Sequence, residues 1–166
     1  SLSEKKFADV ARQIIAAADA ANCKLVLPVD VVVASRLETN APAKTVDSDS
    51  VGEDQMILDI GPRTISQAVG LLAAARTLVW NGPVGAFEFA PFQTGTMTIA
   101  KVAAQLTKVG ALETIAGGGD TIAALNQAGV AQDFTYVSTA GGAFLEWLEG
   151  KQLPGVEALR WSARTA

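Results

Sequence analysis

Three glycines followed by an aspartate stand in the run IAGGGDT (115–121), between an apolar stretch and a segment of helical character. Glycines at such a junction let the backbone approach a phosphate closely, and the free N–H groups of a first helical turn favour an anion. Asp120 is suited either to hold Mg²⁺ bridging phosphates or to cap the helix. The run STAGGAF (138–144) repeats the arrangement of strand end, small residues and helix start, which close helix–strand packing also explains. In WNGPVGAFEF (80–89), Asn81 offers an amide at a strand end, Phe87 an aromatic face and Glu88 a carboxylate suited to sugar hydroxyls. The alternative for that segment is a tight turn with Phe87 and Phe89 in the core.

The composition narrows the chemistry further. The 166 residues contain no histidine, which excludes Ser-His-Asp and Cys-His nucleophiles, His-ligated zinc and an imidazole switch. A net charge of −4 argues against a nucleic-acid surface, which needs clustered Lys and Arg. One cysteine, Cys23, excludes an intrachain disulfide framework and points to a reducing, cytoplasmic setting, with the thiol itself buried and inert. Mean hydropathy is high at +0.28, yet no apolar run approaches the ~20 residues of a membrane span. Two nucleotide fingerprints are absent: there is no GxGxxG, and Gly150-Lys151 is followed by Gln152 without the upstream glycine of a Walker A loop.

These loops need elements to hold them. Ser1-Leu2-Ser3-Glu4 reads as a capping box, and Phe7, Val10, Ala11, Ile14, Ile15 and Ala18 form one apolar helical stripe within residues 1–22. KLVLPVDVVVA (24–34) reads as a buried strand with an irregular continuation around Pro28, and 35–55 as a polar surface excursion with one short strand. From Met56 the pattern is strand–loop–helix four times over. MILDI (56–60) leads to a helix starting at Pro62 and striped by Ile65, Ala68, Val69 and Leu72. TLVWN (77–81), with Trp80 in the core, leads to a helix striped by Ile99, Val102, Ala103 and Leu106. LETIA, ending at Ala116, leads to a helix of roughly nine residues, and FTYVST (134–139) to a last helix through Phe144, Leu145 and Leu148. This repetition predicts an α/β fold with a parallel sheet, whose loops gather at one edge, where ligands bind.

Six stretches resemble phosphoglycerate kinases, in that family's order: LPVDVVVA (27–34), LDIGP (58–62), WNGPVGAFEF (80–89), IAGGGDT (115–121), STAGGAFLEWLEGK (138–151) and LPGVEAL (153–159). The resemblance implies transfer of a phosphoryl group between ATP and 3-phosphoglycerate. It implies that Leu58 and Ala86 line the adenine pocket, that Glu88 bonds the ribose and that Asn81 and Pro83 lie by the phosphates. Gly118, Gly119, Asp120 and Thr121 would hold the phosphates, with Mg²⁺ on Asp120. The amides of Gly119 and Gly142 would stabilise charge on the moving phosphoryl group. Ala140 stands where the family usually has a third glycine.

The resemblance extends only to most of the family's C-terminal, nucleotide-binding domain. It implies an incomplete doubly wound, Rossmann-like sheet in residues 1–166, and an absent N-terminal domain that would bind 3-phosphoglycerate. In a sheet of order 3-2-1-4-5-6, Lys24–Ala34 would supply strand 3, and two central strands would come from a companion chain or a missing segment. The expected activity is therefore that of a kinase part unable to turn over by itself, working in the cytoplasm on ATP or ADP with Mg²⁺, without nucleic acid or membrane partners. The competing reading is a non-catalytic α/β binding or assembly module.

Overall fold

β-Branched and apolar runs alternate with 3.6-residue stripes from Asp30 onward, and strands and helices follow that alternation. The computed structural model describes residues 5–138 and, beyond them, 142, 143, 146, 149–155, 157 and 158. The elements are α1 (Ala8–Ala20), β1 (Asp30–Ala34), β2 (Lys44–Asp47), β3 (Met56–Ile60), α2 (Pro62–Ala74), β4 (Thr77–Asn81), α3 (Thr94–Lys108), β5 (Glu113–Gly117), α4 (Gly119–Gln127) and β6 (Tyr136–Ser138). Single 3₁₀ turns occupy Lys5–Phe7, Ala90–Phe92 and Ala131–Asp133. The chain forms two compact units: residues up to Gln67 with Gly85–Gly95, and Ala68–Val84 with the residues from Thr96 on.

The second unit carries the parallel sheet, in the order β4-β5-β6. TLVWN, LETIA and FTYVST supply it, as the sequence predicts. Helices α3 and α4 make the crossovers, with Ile99, Ala100, Ala103, Ala104, Ala124 and Leu125 buried. Trp80 is buried and meets Phe134 at 6.2 Å between ring centroids.

The first unit departs from the expected topology. Its sheet is antiparallel, in the order β2-β1-β3, so MILDI is no part of the parallel sheet. The run 24–34 is a strand only from Asp30, and that strand pairs antiparallel with β2 and β3 instead of joining a parallel stack. Residues 24–29 form no strand and are exposed, Leu27 at 61%. A strand is held by ladder bonds to neighbours, and among the described residues only Val29 of this run has one, accepting the Ser48 amide at 3.1 Å. In α1 the predicted stripe forms, but Phe7, Val10, Ile14 and Ile15 are all exposed. Cys23, expected to be buried, is exposed for the same reason, lying between these two uncovered segments. β2 is the short strand expected within 35–55. The Ser1–Glu4 capping box, Ala140-Gly141 and most of the last predicted helix lie outside the described residues.

The N-terminus of α2 is built by a residue 33 positions earlier. Asp30 is 2% exposed, and its carboxylate accepts from the amides of Arg63 (3.0 Å) and Thr64 (2.8 Å) and from the Thr64 hydroxyl (2.7 Å). This caps a helix whose first residue is Pro62, as predicted. Burial by itself would raise the Asp30 pKa. The Thr64 hydroxyl, the two amides and the Arg63 charge outweigh it and hold the carboxyl below its ordinary value.

Candidate functional site

In the second unit, β5 ends at Gly117 and α4 begins at Gly119, so one residue makes the turn. That residue, Gly118, has φ +96° and ψ 140°, a conformation costly for any residue with a Cβ. A Cβ there would also come within 3.3 Å of Asn81 Oδ1 and 3.5 Å of Thr121 Oγ1. The Ile122 amide donates to the Gly118 carbonyl at 3.0 Å, which leaves the amides of Gly119, Asp120 and Thr121 as the open N–H groups of the helix start. A Cβ on Gly119 would meet none of the described residues within 4 Å.

Asp120 stands in the first turn of α4, not at the cap position, and makes no capping bond: the N-cap is Gly118. Of the two readings open in the sequence, the structure removes the cap. The side chain is exposed beside an anion-favouring helix end. Thr121 is buried, and its hydroxyl accepts the Gly82 amide at 2.7 Å, tying the loop after β4 to α4. Trp80 Nε1 donates to the Gly82 carbonyl at 2.6 Å, and Val84 N to the buried Thr96 hydroxyl at 3.1 Å. These bonds fix the loop that carries Asn81, which is exposed, and Pro83, which is half-buried. Thr121→Val keeps the shape but leaves the Gly82 N–H without its acceptor. It is expected to lower the urea unfolding free energy by about 1–2 kcal/mol.

Leu58, Ala86 and Glu88 lie in the first unit. The Ala86 amide donates to the Leu58 carbonyl at 2.8 Å, and both side chains pack against the cluster of Ala34, Ala41 and Phe92. Glu88 is exposed. Phe87 is buried at 3% and Phe89 packs on the same cluster, so the aromatic face proposed for Phe87 is core instead. Gly142 is exposed, with helical backbone. Asp59 is an acidic residue inside the apolar run MILDI, and that break in an apolar strand is its only signal in the sequence.

Among the described residues, no cluster of three or more His, Cys, Asp or Glu side chains is placed to hold a metal alone. One exposed carboxylate on an open glycine turn does fit Mg²⁺, which takes one or two carboxylates and keeps its remaining positions for waters and substrate phosphates.

Comparison with known proteins decides the family. The family model described as phosphoglycerate kinase matches residues 1–151. The chain belongs to the phosphoglycerate kinase family. It is similar to the phosphoglycerate kinases of Methylorubrum extorquens strain PA1 (60% identity over 160 residues) and Rhodopseudomonas palustris strain CGA009 (59%). Each match covers 96% of this chain and 40% of the relative. Its fold is similar to that of phosphoglycerate kinase from Coxiella burnetii, with a TM-score of 0.91 and 42% identity over 100% of this chain and 41% of that one. For the enzyme from Pyrococcus horikoshii OT3 the TM-score is 0.78 and the identity 30%, over 98% and 39% of the two chains. The chain thus spans about 40% of the length of the phosphoglycerate kinases it matches, and its α/β fold carries their parallel strands in part.

Proposed function

We propose that this chain is most of the C-terminal, nucleotide-binding domain of a two-domain phosphoglycerate kinase. That enzyme moves a phosphoryl group between ATP and 3-phosphoglycerate, or from 1,3-bisphosphoglycerate to ADP. The observation that carries this reading is the turn at Gly118, an open strand-to-helix junction with three amides and one uncapping carboxylate. The amides of Gly119, Asp120 and Thr121 hold nucleotide phosphates, and Asn81 and Pro83 shape the adjoining loop. Asp120 holds Mg²⁺, which when bound neutralises phosphate charge. Leu58, Ala86 and Glu88 serve the nucleoside. The amides of Gly119 and Gly142 hold charge on the transferring group, a task that needs position and fixed dipoles rather than a covalent intermediate.

3-Phosphoglycerate binds a domain outside this chain, and a companion chain or further segment completes the fold. Three features support the second point: the exposed apolar stripe of α1, the exposed run Leu25–Val29, and β4, which pairs on one side only among the described strands. Without that remainder the chain lacks the cationic groups that clamp a phosphoryl transition state, a loss of roughly 10³ or more in rate. The setting is the cytoplasm, where this family's glycolytic reaction runs. Among the described residues no helix is long and apolar enough to cross a membrane.

The test complements this chain with the remaining three-fifths of the Methylorubrum extorquens relative. MgADP should bind the complex by calorimetry, and kinase turnover should appear in the complex and not in the chain alone. A folded complex that takes up no MgADP would defeat the reading.

A further inference from the structure

Asp59 is 1% exposed in β3, and no ion pair among the described residues accompanies it. Its Oδ1 accepts the Ile60 amide at 2.9 Å, and its Oδ2 accepts the Gly95 amide at 2.8 Å, 36 residues away. The carboxylate also lies against two α-carbons. A Cβ on Gly85 would meet Oδ1 at 2.3 Å, and one on Gly95 would meet it at 2.4 Å. Gly85 and Gly95 are the two ends of the loop segment belonging to the first unit, and Asp59 touches both. Between them the loop carries Ala86, whose amide bonds the residue preceding Asp59, then Phe87, Glu88 and the buried Phe92.

Leucine at this position would bury apolar surface without penalty but would leave the Gly95 N–H without an acceptor. A buried, unpaired carboxylate destabilises the fold, so its presence indicates a geometric requirement. We propose that Asp59 is a positioning residue that clasps both ends of the Gly85–Gly95 loop to β3 and thereby sets the place of Ala86 and Glu88 against Leu58. This rests on the reading that those three residues serve the nucleoside.

The clasp is proton-linked. Burial pushes the Asp59 pKa up to about 6, against the lowering effect of the Gly95 and Ile60 amides, and no charged group of the described residues enters the balance. An open loop wets the carboxyl and returns it towards its ordinary 3.8. The closed loop therefore binds the proton more tightly, is favoured below pH 6, and loosens as pH rises through that value.

The experiment uses the complemented full chain and two probes, MgADP and magnesium tripolyphosphate, the second lacking the nucleoside. Asp59→Ala is expected to weaken MgADP roughly tenfold or more, tripolyphosphate by less than about twofold, and Asp59→Asn, which keeps an acceptor for Gly95, to restore most of the loss. Equal weakening of both probes, or of neither, overturns the proposal. If the unsubstituted complex binds neither probe, the nucleotide reading has failed, and amide exchange decides the clasp independently. Exchange at Ala86 and Gly95, corrected for intrinsic rates, should rise roughly tenfold or more between pH 5 and 7 in the unsubstituted chain and stay flat in Asp59→Asn. The same comparison serves if Asp59→Ala does not fold, and a pH-independent exchange in the unsubstituted chain overturns the clasp.

Discussion

Replacing Asp30 with alanine is expected to destabilise the first unit by about 1–3 kcal/mol, the range for leaving a buried donor without its acceptor. The variant would strip the acceptor from the Arg63 and Thr64 amides and from the Thr64 hydroxyl at once, all at the start of α2. Neither residue just before these donors can replace it, because Gly61 and Pro62 carry no side-chain acceptor and Gly61 packs against the same carboxylate. A Cβ on Gly61 would meet Asp30 Cγ at 2.3 Å. Urea unfolding of the complemented chain checks the magnitude, and a loss below about 1 kcal/mol would contradict this account. The sign of the pH dependence follows from the lowered pKa. The folded state holds this carboxyl ionised more firmly than the unfolded chain does, so its contribution is full above the ordinary value of 3.8 and disappears as pH falls through the folded value. Asp30→Ala should therefore flatten the acid limb of the stability curve. Asp59 acts with the opposite sign, since its raised pKa favours the fold at low pH and withdraws that support between about 4 and 6.

These two aspartates show where the sequence is legible and where it is not. The turn at Gly118 can be read because its signal is local: Gly117-Gly118-Gly119 between an apolar run and a helix describes its own geometry. Helices α2 and α3 follow equally well from stripes such as Ile65, Ala68, Val69 and Leu72. Partner choice is not local. MILDI and VDVVVA look like any buried strands, and only their register, Val31 opposite Ile60, reveals an antiparallel sheet. The composition of KLVLPV reads as a strand, but a strand needs a neighbour along its length, and among the described residues only Val29 meets one, through the Ser48 amide. Asp59 hides for the same reason, since the glycines that give it meaning stand 26 and 36 positions further on. Phe87 could be ligand-facing or core by sequence, and the cluster below the loop decides for core. Asp120 looked like a cap because it precedes a helical stripe. The helix starts two residues sooner, since Gly118 reaches a backbone conformation open to glycine and supplies the cap position itself.

That last shift by two residues separates two variants that a capping role would make alike. Asp120→Ala removes an exposed side chain that makes no capping bond, so its effect on stability is limited to its favourable charge at the helix start, about 0.3–1 kcal/mol. Its expected effect on MgADP binding is far larger, roughly 100-fold or more, since it removes the carboxylate that holds the metal and even an outer-shell partner is worth about 10–100-fold. The loss should vanish when ADP is titrated without the metal. Gly118→Ala should behave in the reverse manner. Its Cβ would force φ +96° on a residue that resists it and would press on Asn81 Oδ1 at 3.3 Å, costing about 1–3 kcal/mol of stability. Because it displaces the amides rather than the carboxylate, it should weaken ADP with and without magnesium alike. Calorimetry with and without the metal, paired with urea unfolding, reads both signatures. If Asp120→Ala unfolds the unit while its MgADP affinity per folded molecule is unchanged, the carboxylate supports the helix and the metal must be held elsewhere. If Gly118→Ala is as stable as the unsubstituted chain, the turn is not the strained junction on which the phosphate reading rests.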